Sequence, residues 1–428
     1  MPTPSLILVP ARFKTGKLYT PLATTSGGTV LGASGDFNVT RATAATRVNS
    51  AGLIESVASG IPRLDYFASG GVVGCPALLV EPAATNTLSG SVSIDTGWIS
   101  TNEAQTSGIV SPSGSNNASL FEAQSTTTRV RQTATLASGS TYTFSCFGKF
   151  GALSSGFLLN VFDENVTSYS SGVVQAFNLN NGTLGSSGTV GAGFTLQSVG
   201  MEDYGNGWYR CRMTVLMGYT PTTPRVGFRI GTAISGGRPI SVVSGTVNVW
   251  GAQLETGSVA TSYIPTTTAS VTRNADVINL SGAVSGCIGQ TEGTIYLETN
   301  ALISGASDLF SFARATTNTV SITKNSSNII QSTVYTSGPS PALNIASSGT
   351  VSGNLKIAVA YKTGESALYI NGVQIGTSST AFSFTAALTQ ININPTGFFE
   401  GIGNQRIRTL SLYTTRLTNA QLAALTTL

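Results

Sequence analysis

Short segments in which apolar and polar residues alternate recur along almost the entire chain. They are rich in Val, Ile, Thr, Phe and Tyr, and clusters of Gly, Asn and Ser separate them. A period of two places successive side chains on opposite faces of a strand, so that one face of each segment can be buried. Many short strands at this spacing are typical of antiparallel sandwiches and barrels. The pattern therefore predicts an all-β protein.

Two local signals define a hairpin and a helix near the end of the chain. Asn371-Gly372 lies between two apolar segments and supplies the two positive-φ positions of a type I′ turn. Thr418 and Gln421 have the spacing of a capping box, with Leu417 and Leu422 at the positions of a hydrophobic staple. We expect one short C-terminal helix, and strands or loops elsewhere.

Shifts in composition divide the chain into three parts and a linker. Residues 1–82 are irregular and rich in arginine, whereas residues 83–265 and 275–428 each have the size of a single sandwich. Residues 266–274 are rich in threonine and read as a linker. We expect two β-sandwich (jelly-roll) domains behind an irregular N-terminal segment that anchors or oligomerises the protein.

Composition and charge exclude several classes of function. The 428 residues contain no histidine, which rules out Ser-His-Asp catalysis and HExxH zinc sites. A formal net charge of +4 over this length provides no polybasic face, so we expect no nucleic-acid partner. The N-terminus does not read as a signal peptide, and no apolar run approaches a membrane span. We expect synthesis in a cytoplasm and no membrane insertion.

Several segments, spread over nearly the whole chain, carry a family resemblance. They include residues 6–12 (LILVPAR), 36–49, 75–82 (CPALLVEP), 205–211 (GNGWYRC), 249–255 (VWGAQLE), 293–298 (GTIYLE) and 416–422 (RLTNAQL). Together they resemble tailed-phage virion proteins that form head or tail fibres, spikes or decorations. The middle part resembles a carbohydrate-binding-module-like jelly roll, and the last part resembles a concanavalin A-like or laminin-G-like sandwich.

The resemblance implies a location in the virion, with other virion proteins and a host surface glycan as partners. It also implies a homotrimer, because appendages of this kind are commonly threefold. The apolar residues 6–9 and 78–80 would form unpaired strand edges in an isolated N-terminal segment, and such edges are normally covered by another chain. We therefore expect subunit contacts before about residue 85. The alternatives are a purely structural virion protein and a polysaccharide depolymerase.

Glycan binding requires an aromatic plane for the C–H face of a sugar and polar groups for its hydroxyls. Trp208 and Trp250 lie in strand-like segments and are expected in the core. Trp98 lies in a polar region, which makes it the candidate stacking platform. Asn102 and Gln105 are the nearby candidates for hydrogen bonding to the ligand.

Enzymatic chemistry without histidine would depend on two carboxylates. The strand predicted over residues 292–298 carries Thr and Tyr between its two glutamates, on the face where such sandwiches place catalytic acids. The adjacent pairs Asp163-Glu164 and Glu202-Asp203 read as solvated loop charges. We therefore expect a protein that is not an enzyme.

A structural Ca²⁺ is the one cofactor that the resemblance allows, because sandwiches of this type often hold one. Such a site needs carboxylate and carbonyl oxygens that converge from loops. Asp276 and Asp308 are the candidate ligands, although the sequence contains no Asp-rich run.

Overall fold

The computed structural model describes the chain except at residues 26, 96, 153–155, 165–168, 232, 243, 302–306, 315–317, 326, 338–339, 352, 394–403 and 428. The strands before residue 83 are β1 (Leu6–Leu8), β2 (Phe13–Lys14), β3 (Lys17–Leu18), β4 (Leu22–Ala23), β5 (Phe37–Thr40), β6 (Ala45–Val48), β7 (Ile54–Val57), β8 (Arg63–Ala68) and β9 (Gly71–Val80).

The strands of the middle part are β10 (Ala84–Asn86), β11 (Ile99–Thr101), β12 (Glu103–Val110), β13 (Asn116–Ala123), β14 (Arg129–Thr133), β15 (Thr141–Ala152), β16 (Gly156–Glu164), β17 (Tyr169–Asn178), β18 (Thr183–Val190), β19 (Phe194–Asp203), β20 (Trp208–Met217), β21 (Pro224–Ile230), β22 (Ala233–Ser235), β23 (Arg238–Ile240), β24 (Thr246–Thr256) and β25 (Val271–Arg273).

The last part contains β26 (Val277–Ser281), β27 (Glu292–Ala301), β28 (Ser307–Arg314), β29 (Asn318–Lys324), β30 (Ile330–Tyr335), β31 (Leu343–Ala346), β32 (Asn354–Lys362), β33 (Ser366–Ile370), β34 (Val373–Ser378), β35 (Gln390–Ile393), β36 (Gln405–Tyr413) and the helix α1 (Asn419–Thr426). Short 3₁₀ turns lie at Gly32–Gly35 and Ala283–Cys287. No helix in the described part of the chain has the length and apolarity to cross a membrane. The all-β prediction is confirmed.

The C-terminal sandwich is built from both ends of the chain. One sheet has the order β34-β33-β32-β27-β36-β1-β4, with β9 also pairing with β36 and β8 with β9. The other has the order β2-β3-β5-β26-β35-β28-β29-β30-β31. Side chains from the two ends share one core, in which Leu6, Phe37 and Leu78 pack with Ile295 and Leu410.

The prediction of a separate, irregular N-terminal segment is therefore wrong. In the antiparallel registers Leu6 lies opposite Leu412 and Leu78 opposite Ile407, so strands of the same chain cover both apolar runs. Local alternation marks such runs as strands but cannot show a partner more than 300 residues away. The edges from which we inferred subunit contacts are thus already paired, and the homotrimer stays a prediction based on the resemblance alone.

The jelly roll is inserted between β9 and β26 of this sandwich. Its two sheets have the orders β11-β14-β21-β16-β17-β18 and β12-β13-β24-β15-β20-β19, and phenylalanines such as Phe121, Phe144 and Phe157 fill the space between them. The chain enters through β10 and leaves through β25, which pair with each other, so that Ala84 lies opposite Arg273. The predicted linker thus contributes one strand of this crossing.

A third apolar cluster fixes the hairpin of β6 and β7 to the outer face of the jelly roll. Val48 and Ile54 of this hairpin pack in one cluster with Phe147, Trp208 and Trp250. Both tryptophans are buried, as expected, but outside the space between the sheets. The N-terminal part therefore contacts both sandwiches.

A buried ionic cluster occupies the place where the two chain crossings meet the N-terminal strands. Glu81 lies 2.7 Å from Arg63 and 2.7 Å from Arg273, and Asp276 lies 2.9 Å from Arg41 and also pairs with Arg63. All five side chains are at most 2% exposed. Burying a charge costs several kcal/mol, which pairing and hydrogen bonding offset. Each of these five side chains forms at least one hydrogen-bonded ion pair. We call these five residues the ionic cluster.

The ionic cluster connects every part of the chain. Ser262, which lies between β24 and β25 of the jelly roll, donates its backbone N–H at 2.7 Å and its hydroxyl at 2.6 Å to Glu81. Arg41 donates to the carbonyls of Thr43 at 2.9 Å and Ala58 at 2.7 Å. The backbones of Glu81 and Asp276 also bond to each other, since the Asp276 N–H donates to the Glu81 carbonyl at 3.0 Å.

The ionic cluster predicts a specific acid sensitivity. Burial opposes the charge of Glu81, but Arg273 and Arg63 outweigh it and hold the pKa of Glu81 below its ordinary value of 4.5. A depressed carboxyl pKa stabilises the fold above the unfolded pKa, and that stability is lost as the pH falls. Urea unfolding between pH 6 and pH 2.5 should show a steeper loss of stability below pH 4.5 in the parent than in Glu81→Gln. Glu55→Gln, which alters a more exposed pair with Arg47, should keep the slope of the parent. If the parent and Glu81→Gln lost stability equally steeply as the pH falls, Glu81 would not have a depressed pKa in the folded protein.

The C-terminal helix has the predicted capping box, because the Thr418 hydroxyl accepts from the Gln421 N–H at 3.3 Å and the Gln421 side chain accepts from the Thr418 N–H at 2.9 Å. The predicted turn also forms, with positive φ at Asn371 and Gly372. Thr418→Ala should lower the free energy of unfolding by about 0.5–2 kcal/mol through loss of the cap. The control is Thr350→Ala in an exposed loop of the same sandwich. A cost no larger than that of the control would show that the cap contributes nothing.

Candidate functional site

A cleft of about 260 Å³ lies where the jelly roll, the β6–β7 hairpin and the C-terminal sandwich meet. Arginines and carboxylates from all three parts converge on it, which distinguishes it from the apolar cores on either side. Its lining includes Arg47, Asp65, Glu81, Ser198, Glu202, Tyr204, Arg210, Arg212, Ser258, Asn404 and Arg406. We call this space the interdomain cleft.

Two neighbouring strands of the jelly roll supply one wall. In the antiparallel pair of β19 and β20, Glu202 lies opposite Arg210 and Gly200 opposite Arg212, so these residues share the outer face of the sheet. A Cβ atom at Gly200 would lie only 2.5 Å from Cζ of Arg212. Only glycine leaves room for the Arg212 guanidinium to lie across β19 at this point.

Arg210 anchors this wall from beneath. Its side chain is 2% exposed and donates to the Thr261 carbonyl at 2.6 Å and the Ser145 hydroxyl at 3.1 Å. Burial opposes its charge, but Tyr204 and Glu202 beside it raise its pKa. Arg210 therefore carries a permanent positive charge below the surface of the cleft.

Tyr204 is fixed between aromatic rings. Its ring centroid lies 4.5 Å from that of Phe67 and 4.9 Å from that of Phe147. Burial raises the pKa of Tyr204 to about 12, so its hydroxyl stays protonated at neutral pH. Phe67 and Phe147 pack against the Tyr204 ring. Tyr204 therefore offers a ligand its hydroxyl group and not an open ring face for stacking.

The opposite wall consists of paired charges and one unsatisfied amide. Arg406 lies 2.5 Å from Asp65 and 4.9 Å from the ring centroid of Phe67. The Asn404 side chain is 5% exposed, and its Oδ1 atom has no hydrogen-bond partner in the described part of the chain. A buried acceptor without a partner costs free energy, so a ligand donor at this position would be favourable.

Glu202 and Arg212 are the groups best placed to meet a ligand. Both are half-buried, and among the described residues neither side chain forms a hydrogen bond. Together with the Tyr204 hydroxyl and Asn404 they provide donors and acceptors around one space. Such an arrangement suits a ligand that is rich in hydroxyl groups.

The sequence prediction of solvated charges is wrong at three of the four residues concerned. Asp163 is 5% exposed and accepts hydrogen bonds from Tyr219 at 2.9 Å and Thr223 at 2.8 Å. Glu164 lies among arginines on the outer face of the jelly roll, and Glu202 faces the interdomain cleft. Adjacent acidic residues read as loop charges because the strand ends that hold them could not be located from sequence.

The predicted sugar-binding residues lie at one edge of the jelly roll, where β11 crosses to β12. Trp98 is half-buried, donates its indole N–H to the Ser89 carbonyl at 3.2 Å and packs 6.1 Å from Phe228. Asn102 donates to Thr127 at 2.8 Å, and Gln105 donates to Ser119 at 3.0 Å. Each polar head is thus already bonded within the protein, and the assignment of a ligand to these three residues stays a prediction.

The structure gives Asp276 a role other than the predicted calcium ligand. Its Oδ1 accepts from Arg41, and its Oδ2 accepts from Arg63 and from the Glu81 N–H at 3.0 Å. A cation at this carboxylate would have to displace two arginines. Asp308 lies in β28, and its side chain is outside the described residues. Within the described part of the chain, no three Cys, Asp or Glu side chains are grouped as metal ligands.

No protein-family model and no curated protein sequence matches this chain. Among solved structures it is partly similar to botulinum neurotoxin type C, whose cell entry depends on interaction with two ganglioside molecules. That match has a TM-score of 0.31 and 15% identity over 36% of this chain and 40% of that one. A match to the Ruminococcus gnavus IT-sialidase CBM40 bound to α2,3-sialyllactose has a TM-score of 0.29 and 15% identity, covering 34% and 88% of the two chains.

A leech intramolecular trans-sialidase complexed with 2,7-anhydro-Neu5Ac matches with a TM-score of 0.29 and 16% identity, over 34% of this chain and 24% of that one. The chain thus spans well under half the length of the neurotoxin and the trans-sialidase structures. Likeness at this level supports no conclusion about the ligand of this protein, which has to be argued from its own residues.

Proposed function

We propose that this protein binds a glycan in the interdomain cleft and does so without hydrolysing it. The observation that carries the proposal is the convergence of Glu202, Arg212, the Tyr204 hydroxyl and the unsatisfied Asn404 oxygen on one space of about 260 Å³. Sugar hydroxyls both donate and accept, so a wall that offers both charged donors and charged acceptors matches their chemistry.

The size and charge of the cleft further restrict the class of ligand that it can bind. Clefts for drug-sized molecules are usually about 300–1,000 Å³, so this one suits a short saccharide or the end of a longer chain. Four arginines and three carboxylates line it. Asp65 pairs with Arg406 within this lining, whereas Glu81 and Arg47 pair with Arg63 and Glu55, which lie outside it. A near-neutral, strongly polar lining favours a hydroxyl-rich ligand over a highly charged one.

We further propose that the protein is a component of a phage virion, displayed as a fibre, spike or decoration, and that glycan binding serves adsorption to the host. This part rests on the sequence resemblance described above. A single shallow site with millimolar affinity corresponds to about −4 kcal/mol. Several copies on one particle can raise the apparent affinity by about 10²–10⁴ when their spacing allows simultaneous contact.

Two alternatives are distinguishable by experiment. A purely structural virion protein would use both sandwiches only for contacts with its neighbours and would bind no sugar. A depolymerase would need a second carboxylate facing Glu202, and in the described cleft Asp65 and Glu81 are both engaged by arginines. Trp98 with Asn102 and Gln105 is retained as a second place where a glycan could bind.

The proposal predicts the effect of two substitutions on binding to an array of bacterial surface polysaccharides. Glu202→Gln and Arg212→Gln should each weaken binding about tenfold or more, since each removes charge-assisted hydrogen bonds. Arg12→Gln, an exposed arginine outside the cleft, should leave binding unchanged and serves as the matched control. Trp98→Ala in the same series separates the cleft from the jelly-roll edge.

Release of reducing ends, assayed in the same samples, should not occur. If the parent binds no polysaccharide on the array, the structural alternative is the better one. If sugar is released and Glu202→Gln abolishes the release, the protein is a hydrolase.

A further inference from the structure

Four arginines gather on the outer face of the jelly-roll sheet that contains β14, β21 and β16. Along β14 the core-facing residue Val130 separates Arg129 from Arg131, which therefore face outwards. Along β21 the core-facing residues Val226 and Phe228 likewise leave Arg225 and Arg229 on the outer face. This face lies away from the outer face of β19 and β20 that lines the interdomain cleft.

The registers place these arginines around one point. Arg131 lies opposite Gly227, and Gly227 lies opposite Asn160 on β16, which forms a row across three strands. Two residues along the strands in one direction, Arg225 lies opposite Thr133. Two residues in the other direction, the same register of β14 and β21 places Arg129 opposite Arg229. The middle of the row is a glycine, so its floor carries no side chain.

Positive charge exceeds negative charge at this point. Glu164 lies 2.9 Å from Arg129 and 2.7 Å from Arg131, and it is the one carboxylate lining this notch in the described part of the chain. Among the described lining residues, four guanidinium groups thus share one carboxylate. Like charges held together at a partly buried place destabilise the fold unless an anion balances them.

Burial makes the excess costly. Arg229 is only 5% exposed. Burial and the neighbouring Arg129 lower its pKa to about 10, although Glu164 partly offsets the effect. A sheet face selected only for stability would not be expected to bring three further cations to a buried arginine.

We propose that this notch, formed by Arg129, Arg131, Arg225 and Arg229 around Gly227 and Asn160, binds the acidic group of an anionic polysaccharide. Guanidinium forks match the planar oxygens of a carboxylate and the oxygens of a sulfate. The Asn160 side-chain amide, next to Gly227 in the same row, supplies a further donor. The binding of anions here does not depend on what the interdomain cleft binds.

The dimensions of the notch favour a single acidic group of a repeating sugar over a nucleic acid. The cavity at the notch is about 10 Å³, which admits about one oxygen atom beneath the guanidinium groups. A net charge of +4 over 428 residues supplies no continuous basic track along which a nucleic-acid backbone could run. The notch therefore accommodates one charged group. An acidic polysaccharide carries such a group at regular intervals along its chain.

The test measures binding of the full chain to four immobilised probes, namely polysialic acid, dextran sulfate, neutral dextran and duplex DNA. The parent should bind polysialic acid or dextran sulfate and not neutral dextran, and which of the two it prefers distinguishes carboxylate from sulfate. Arg131→Gln and Arg225→Gln should weaken this binding about 10- to 100-fold. Arg12→Gln removes the same charge at an exposed, remote position and should change the affinity less than twofold.

Asn160→Asp keeps the experiment decisive if an arginine variant fails to fold. This nearly isosteric change places a carboxylate among the arginines, which should preserve or raise stability while abolishing anion binding. Absence of binding by the parent to both acidic polymers, or equal loss with Arg12→Gln, would overturn the proposal. Tighter binding to DNA that Asn160→Asp abolishes would replace the polysaccharide with a nucleic acid.

Discussion

The ionic cluster of Arg41, Arg63, Glu81, Arg273 and Asp276 is the constraint on which the arrangement of the whole chain depends. Its members come from the N-terminal part, from the last residues before the jelly roll and from the first residues after it. Removing one partner would leave a buried charge uncompensated, at a cost of about 3–5 kcal/mol. The cluster can therefore form only when the two sandwiches and the chain crossings occupy their native positions together.

This constraint explains where the interdomain cleft lies. Glu81 belongs to the ionic cluster and also lines the cleft, and Ser262 bonds to Glu81 from the jelly-roll side. The paired strands β10 and β25 hold the entry and the exit of the jelly roll side by side. The walls that carry Glu202 and Arg212 on one side and Arg406 on the other are thereby fixed relative to each other, which favours a preorganised binding site.

The sequence predicted the local structure well because local rules determine it. The type I′ turn at Asn371-Gly372, the capping box at Thr418 and the all-β class each depend on residues a few positions apart. Prediction from the sequence failed where the interacting residues are far apart along the chain, as in the pairing of Leu6 with Leu412 and of Arg41 with Asp276. The high share of arginine before residue 82 was a visible signal of the ionic cluster, but its acidic partners could not be assigned by spacing.

The candidate sites show the same division between local and distant information. Glu202 and Arg212 are brought together by strand register, and the four arginines of the jelly-roll notch come from strands that are about 100 residues apart. A tryptophan in a polar segment, such as Trp98, is a local feature of the sequence, whereas the packing of Trp98 against Phe228 depends on a distant strand. Sites made of single prominent residues can be proposed from sequence, while sites made by register require the fold.

The most direct test of this account is differential scanning calorimetry of the parent and of Arg63→Met, which removes the central cation of the ionic cluster at nearly constant length. If the cluster couples the two sandwiches, the parent melts in one cooperative transition, and the variant melts at lower temperature in two separate transitions. Two transitions in the parent, or a variant that melts like the parent, would contradict the central role of the cluster.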